Sequence, residues 1–330
     1  MINRVRAAIS DHPPDTTLAF GSEGIGVPSL GEDHPALLVI AMTQHFLIVV
    51  ALVLAIPATT GIRAEESIRD SVTFYASFDE QLQGDFGGGP LAVSTRSDDP
   101  DRKGQYVVTP GFPRSAFRIV PNGGKHGGAL EAAKVLPNRG RLFFPAKGNI
   151  AFAPTGWSSS VSFWLSTNPD TMLKSRYCDP IQITQKRAAD GALWIDFPDT
   201  KPRDLRLGAF TSLGPGEQPV EESDPAAPLI HVRKIGFQED EWHHIVMTWR
   251  NVDSGKPDST VALWIDGRRV GELTKRNIAM KWDIGQTGIY VAVGLIGRLD
   301  ELAVFDRELT GSEIGLLHRK AALLSGLGMR

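Results

Sequence analysis

Between Glu241 and Gly271 the sequence EWHHIVMTWRNVDSGKPDSTVALWIDGRRVG leaves the backbone few options, because it reads as two β-strands and a hairpin. From Ser259 to Asp266, Val261, Leu263 and Ile265 fall on one side and Thr260, Ala262, Trp264 and Asp266 on the other, the two-residue period of a half-buried strand. Asp266-Gly267 then turns the chain, since both central positions of a tight hairpin take positive φ values that Asp and Gly tolerate. Upstream, Trp242 to Trp249 is apolar on both faces, as befits an interior strand with neighbours on either side.

The rest of the chain is of the same kind. Thirty-four Gly, 22 Pro and many short alternating segments in 330 residues favour an all-β domain over a helical one. The charged fraction of 22% and hydrophobic fraction of 42% are those of a globular protein. A net charge of -3 with scattered Lys and Arg gives no basic stripe, which argues against nucleic acid as a partner. Cys178 is the only cysteine, so neither an internal disulfide nor a cysteine-based metal site can form.

Residues 1–41 show no sustained period and are rich in Gly, Pro and acids, which predicts disorder or an extension preceding a true start at Met42. Residues 42–64 read as an export signal, with an apolar run from Phe46 to Ala58, small residues after it and a plausible cut following Ala64. The alternative is a membrane anchor, because Ala36 to Ala58 approaches the roughly 20 residues needed to span a bilayer. Either way the domain at 65–330 is expected outside the cytoplasm: periplasmic, secreted, on the cell surface or anchored to a membrane.

From Ser71 onward, Val72, Phe74, Ala76 and Phe78 alternate with Thr73, Tyr75 and Ser77 in a first strand. Residues 81–121 are loop-rich, with short strand candidates such as Tyr106 to Thr109. Leu142 to Phe144, Val161 to Leu165 and Ala192 to Phe197 are further strands, whereas Ser212 to Pro228 carries Pro, Gly and acids without a period and reads as a long surface loop. Ile289, Val291, Val293 and Leu295 are expected to face inward from one late strand, and Leu299 to Phe305 form another. Thr310 and Glu313 have the spacing of a capping box, predicting a helix to about Leu324 with Gly326 as its stop.

Four motifs now stand in order: Gly124-Lys125-His126-Gly127-Gly128-Ala129-Leu130; Val161-Ser162-Phe163-Trp164-Leu165; Trp242-His243-His244 with the strand ending Trp264-Ile265-Asp266-Gly267; and Gly297 to Phe305 followed by Leu309 to Ile314. Together they resemble the laminin-G-like, concanavalin A-like jelly-roll family over about Val72 to Leu324. The resemblance implies an antiparallel two-sheet sandwich with a short C-terminal helix. It implies little about the ligand, since one fold hosts many functions.

Trp164, Trp194 and Trp264 each stand opposite the aliphatic residues of their strands, so if the aliphatics fill the space between two sheets, these rings lie on outer faces. The resemblance implies that such rings stack on sugars. That makes Trp264, Trp194 with the neighbouring Asp196, and Trp164 the candidate carbohydrate-binding residues; for Trp164 burial beneath a loop is the other reading. The resemblance also implies a structural Ca2+ held by Asp79 after the first strand and Asp300 in the closing strand, with backbone carbonyls completing roughly six to eight oxygens. The alternative is that Asp300 accepts backbone hydrogen bonds and Asp79 starts a turn. His243 and His244, adjacent on a strand, point to opposite faces and cannot share an ion. Glu239-Asp240-Glu241 most simply solvates a turn.

Glucanases of this fold carry E-x-D-x-E on one strand, and no strand here does. Neither G-x-S-x-G nor H-E-x-x-H is present. The expectation is therefore an exported, non-catalytic binding or adhesion module for a glycan or cell-surface polysaccharide, with calcium as a cofactor. The alternatives are a glycoside hydrolase or lyase using Asp196 or Glu301, and a structural envelope protein that binds another protein.

Overall fold

The computed structural model describes residues 62–103, 105–174 and 177–328. These fall in the unit Pro57–Arg330. The expected extension at 1–41 and nearly all of the export signal or anchor at 42–64 lie outside the described residues. Among the described residues no helix is long and apolar enough to cross a membrane.

A helix over residues 62–70, α1, leads into the first strand. In chain order the strands are β1 (Val72–Ala76), β2 (Phe86–Gly87), β3 (Ser94–Asp98), β4 (Tyr106–Pro110), β5 (Phe117–Val120), β6 (Ala129–Ala132), β7 (Arg141–Pro145) and β8 (Trp157–Ser166). There follow β9 (Cys178–Arg187), β10 (Asp190–Phe197), β11 (Leu205–Phe210), β12 (Leu229–Val232), β13 (His243–Val252), β14 (Ser259–Ile265), β15 (Arg268–Arg276), β16 (Gly288–Val293) and β17 (Gly297–Phe305), then helix α2 (Gly311–Arg319) and a 3₁₀ turn (Ala321–Leu324). They make two antiparallel sheets packed as a sandwich. One, of nine strands, runs β15-β14-β13-β8-β17-β1-β2, with β5 and β6 attached beside β17; the other, of eight, runs β12-β11-β10-β9-β16-β7-β3-β4.

The hairpin behaves as its sequence demands: Asp266 and Gly267 have φ of 50° and 76°, and Val261, Leu263 and Ile265 of β14 enter the core between the sheets. Phe163 and Leu165 from β8 and Leu193, Ile195 and Phe197 from β10 meet them there, with Trp249 among the fully buried rings. Two expectations need correction. The inward row Ile289, Val291, Leu295 holds but skips Val293, because Ala292 takes φ 53°, turns into the core and leaves Val293 beside a surface hollow. The helix predicted to reach Leu324 stops at Arg319: Lys320 leaves helical geometry at φ -125°, ψ 75°, and only a 3₁₀ turn follows.

Candidate functional site

The two outer faces of the sandwich differ, and the difference is set by α2. Thr310 accepts from the Glu313 amide while Glu313 reaches back to the Thr310 amide, so the helix starts firmly and lays Ile314 and Leu317 over β1, β13 and β17. Ile68 from α1 and Leu323 and Leu324 from the 3₁₀ turn join Tyr75, Val246 and Phe305 in the same apolar layer. This covers the outer face of the nine-stranded sheet across β1, β17 and β13 and leaves the edge strand β15 exposed.

Two of the candidate sugar-stacking rings lie under that cover. Trp164 does stand on the outer face, but it is only 2% exposed, stacked on His318 of α2 at 5.5 Å between ring centroids and covered by the Lys125 ammonium at 4.6 Å. Trp264 is half-buried against the same layer beneath the start of α2, where a side chain at Gly311 would fall 3.0 Å from its ring. Beside Trp164, His244 is buried, shares a hydrogen bond of 2.8 Å with the Ser162 hydroxyl through Nε2, and leaves Nδ1 without a partner. Burial first, then the neighbouring His318, pushes His244 down to about 3.

Trp194 and Asp196 are on the opposite outer face, that of the eight-stranded sheet, so the four candidate carbohydrate residues do not form one surface. Nor is Trp194 accessible: it is 2% exposed, stacked on Phe210 at 5.8 Å, and its Nε1 donates to the Ala188 carbonyl at 2.9 Å. The ring lies flat because its partner across the ladder is Gly208, whose missing Cβ would meet the indole at 2.3 Å. Both Trp164 and Trp194 are thus structural, for the reason that large rings rarely stay bare.

The structure does bring Asp79 and Asp300 to the same glycine-rich loop. Asp79 Oδ1 accepts from the Gly128 amide at 2.7 Å; Asp300 accepts from the amides of His126 at 3.0 Å and Glu301 at 2.9 Å. Glu301 sits alongside, accepting from the Tyr75 hydroxyl at 2.8 Å and leaving Oε1 buried and unpaired. Among the described residues no Lys or Arg pairs with any of these carboxylates. Burial, only partly offset by the loop amides, pushes Asp300 up to about 7, and burial with the charge of Asp300 pushes Glu301 up to about 9. An oxygen-only, like-charged group suits a hard cation, although no three Asp, Glu, His or Cys side chains among the described residues are grouped to hold one, so main-chain oxygens would have to complete it.

Among the described residues no helix covers the outer face of the eight-stranded sheet. His231, Arg206 and Asp196 are partners across β12, β11 and β10. Arg206 Nε and Nη2 donate to the two oxygens of Asp196 at 2.8 and 2.5 Å, and Nη1 donates to Glu222 at 2.8 Å. Burial pushes Asp196 up to about 6, with the two Arg206 bonds restraining it, and the same partners hold the guanidinium charged. Asp179, from β9, is raised well above the usual carboxylate range by burial and by Asp196, with Arg141 and Arg206 pulling the other way.

Three hollows run side by side across these strands. One of about 960 Å³ is walled by the 212–228 loop and lined by Arg206, Glu222 and Tyr177. The next, about 530 Å³, shares Tyr177 and adds Arg141, Asp179 and Gln182. The third, about 670 Å³, shares Tyr106 and Lys186 with the second and is floored by Tyr290. None of these lining residues was picked out by sequence reasoning, which singled out only the buried Asp196 that Arg206 holds. Arg206 had a signal, since LRLGAF alternates Leu205, Leu207 and Ala209 inward against Arg206, Gly208 and Phe210 outward; Asp179 and Arg141 had none beyond their charge.

No protein-family model matches the chain, and no curated protein does. Among solved structures it is similar to the binding domain of botulinum neurotoxin DC, solved in complex with rat synaptotagmin II, at 13% identity and a TM-score of 0.50 over 77% of this chain and 52% of that one. It is also similar to domain 4 of AbnA, a GH43 extracellular arabinanase from Geobacillus stearothermophilus solved with arabinotriose, at 17% identity and a TM-score of 0.46 over 75% of this chain and 98% of that one. The chain thus spans about half the length of the neurotoxin domain. At 13% identity the likeness to the neurotoxin domain bears on the fold alone and says nothing about the ligand.

Proposed function

We propose that this protein is an exported, non-catalytic binding module of laminin-G-like, concanavalin A-like type that holds a carbohydrate chain on the outer face of its eight-stranded sheet. The observation that carries the reading is the contrast between the faces: one is covered over its central strands by α2 and its apolar layer, the other is a run of hollows with polar linings. A sugar chain has the shape and chemistry for such a floor. Vicinal hydroxyls pair with planar carboxylate, guanidinium and amide groups, and the apolar side of a pyranose lies on an exposed ring. Half-buried Glu222 and the exposed Arg187 and Arg233 supply the first kind of group, and Tyr177, 40% exposed, supplies the second. Titration of the chain against neutral and acidic oligosaccharides tests this; absence of heat with every one of them overturns it.

A hydrolase reading keeps one supporting observation, the neighbouring carboxylates Asp179 and Asp196 with raised proton affinity. Against it, both Asp196 oxygens are engaged by Arg206, so Asp179 has no second free carboxylate beside it to complete an acid–base pair. Glu301 lies in the other sheet, bonded to Tyr75. Turnover of a polysaccharide panel that is lost in Asp179→Asn would favour the enzyme. Calcium belongs to the proposal as a structural ion: Asp79 and Asp300 would hold it, and it would neutralise their mutual repulsion and pin the 124–128 loop to the end of β1.

A further inference from the structure

The hollows at the β4 end of the open face differ in charge from the one beneath the 212–228 loop. There β7 and β3 place Arg141 and Arg96 directly opposite one another. Like charges at paired positions on one face repel, and sheets normally avoid them. Here both converge on Tyr290: Arg141 lies 4.6 Å and Arg96 5.8 Å from its ring centroid, and Arg96 Nη1 donates to the Tyr290 hydroxyl. Arg96 also covers the ring of Tyr106 at 3.8 Å. Neither guanidinium makes an ion pair with any described carboxylate, and Arg141 keeps a buried Nε with no acceptor at all.

The surroundings compensate them only in part, through the attraction between Arg141 and the buried Asp179. Lys186 and Arg187 line the same hollows, Arg139 spends its charge on Asp98, and the remaining acid, Asp179, is buried. Tyr106, 43% exposed with Arg96 over one side of its ring, and Tyr177, 40% exposed, border the middle hollow. Two pre-oriented guanidinium groups held on an aromatic ring, short of acceptors and flanked by stacking surfaces, need an anion to complete them. We propose that this part of the face selects sugar units bearing carboxylate or sulfate groups, with Arg141 and Arg96 taking the anion and Tyr106 and Tyr177 the ring. The inference rests on the carbohydrate-binding reading above and adds the class of sugar.

The full chain is titrated with polygalacturonate, with carrageenan as a sulfate ester and with neutral arabinan, at constant ionic strength. At least one acidic polymer binds more tightly than arabinan, and Arg141→Gln or Arg96→Gln weakens it roughly tenfold or more, as loss of a charge-assisted contact should, while arabinan binding is unchanged. Binding of polygalacturonate alone assigns carboxylate, and of carrageenan alone assigns sulfate. Arg96 is the second variant should Arg141→Gln melt early. Arabinan binding as tight as the acidic polymers overturns the inference but leaves the carbohydrate-binding reading intact; binding of none overturns both. An equal loss in Arg268→Gln, on the exposed edge strand of the other sheet, reduces the effect to general attraction for polyanions and also overturns it.

Discussion

Lowering the pH from 7 to 5 tests whether the outer face of the nine-stranded sheet is as dry as the packing of α2 requires. His244 is 1% exposed, lies 4.9 Å from Trp164 and 5.9 Å from His318 between ring centroids, and faces no carboxylate through its free Nδ1. Its proton affinity falls from an ordinary value near 6.5 to about 3, so between those limits the unfolded chain binds a proton that the folded one refuses. A base depressed on folding contributes stability that is complete above its unfolded pKa and is lost as the pH falls. At pH 5 the loss is about 1.36 × (6.5 − 5.0), or about 2 kcal/mol, and it hardly depends on the folded value as long as that stays below pH 4. His244→Gln keeps a nitrogen near Ser162 and removes the titration. Urea unfolding of both proteins at pH 7 and pH 5 should therefore show the wild type losing about 2 kcal/mol more than the variant. Contributions from raised acids such as Asp300 have the opposite sign and cancel in the comparison. Equal losses, within about 0.5 kcal/mol, would mean that water reaches His244 and that this face is not covered there.

The open face and the loop site give further outcomes. Trp194→Ala removes a ring that packs on Phe210, and thermal unfolding should show a loss of about 3–5 kcal/mol; Tyr177→Ala should leave stability within about 1 kcal/mol yet weaken glycan binding in titration calorimetry. Arg206→Met strands Asp196 in a buried place and should cost about 3–5 kcal/mol in urea unfolding, with Asp196→Leu in the same chain restoring most of it, whereas Glu222→Gln should cost under about 1 kcal/mol because Glu222 is partly exposed. Calcium at a hundredfold excess over its Kd should stabilise the fold by about 2.7 kcal/mol. A melting curve in EDTA should lose that gain, and Asp300→Asn should never show it.

What could be read beforehand was whatever two-residue alternation encodes. Val261, Leu263 and Ile265 point into the core and Trp264 points away, as their spacing required, and the Thr310 capping box opened a helix where it was expected. Alternation reports which side a residue faces, not what covers that side. Trp164 and Trp194 were correctly assigned to outer faces, but their covers, His318 some 150 residues onward and Phe210 on a strand that sequence reasoning passed over, are set by long-range packing. Asp79 and Asp300 met at one loop because the resemblance carried that information; Arg141 and Asp179 had no such guide, since a charged residue in a short strand looks alike whether it meets solvent or a hollow. On β16 the pattern failed where Ala292 adopts a positive φ that no alternation rule anticipates.

The position of β17 has a bearing on how this molecule comes into being. The last of the described strands is the one around which the nine-stranded sheet is joined: β8 lies along one side of it, and β1 and β6 divide the other. Until Gly297–Phe305 has left the ribosome, β1 and β6 have no place in that sheet, and the 124–128 loop waits without Asp300. A nascent chain stopped at Val293 would hold a nearly complete eight-stranded sheet beside a split one, with apolar Phe74 and Leu130 left uncovered. Chains shortened before β17 should therefore go to proteases or aggregates rather than to smaller folded versions, and the nine-stranded sheet should close only once β17 has been made.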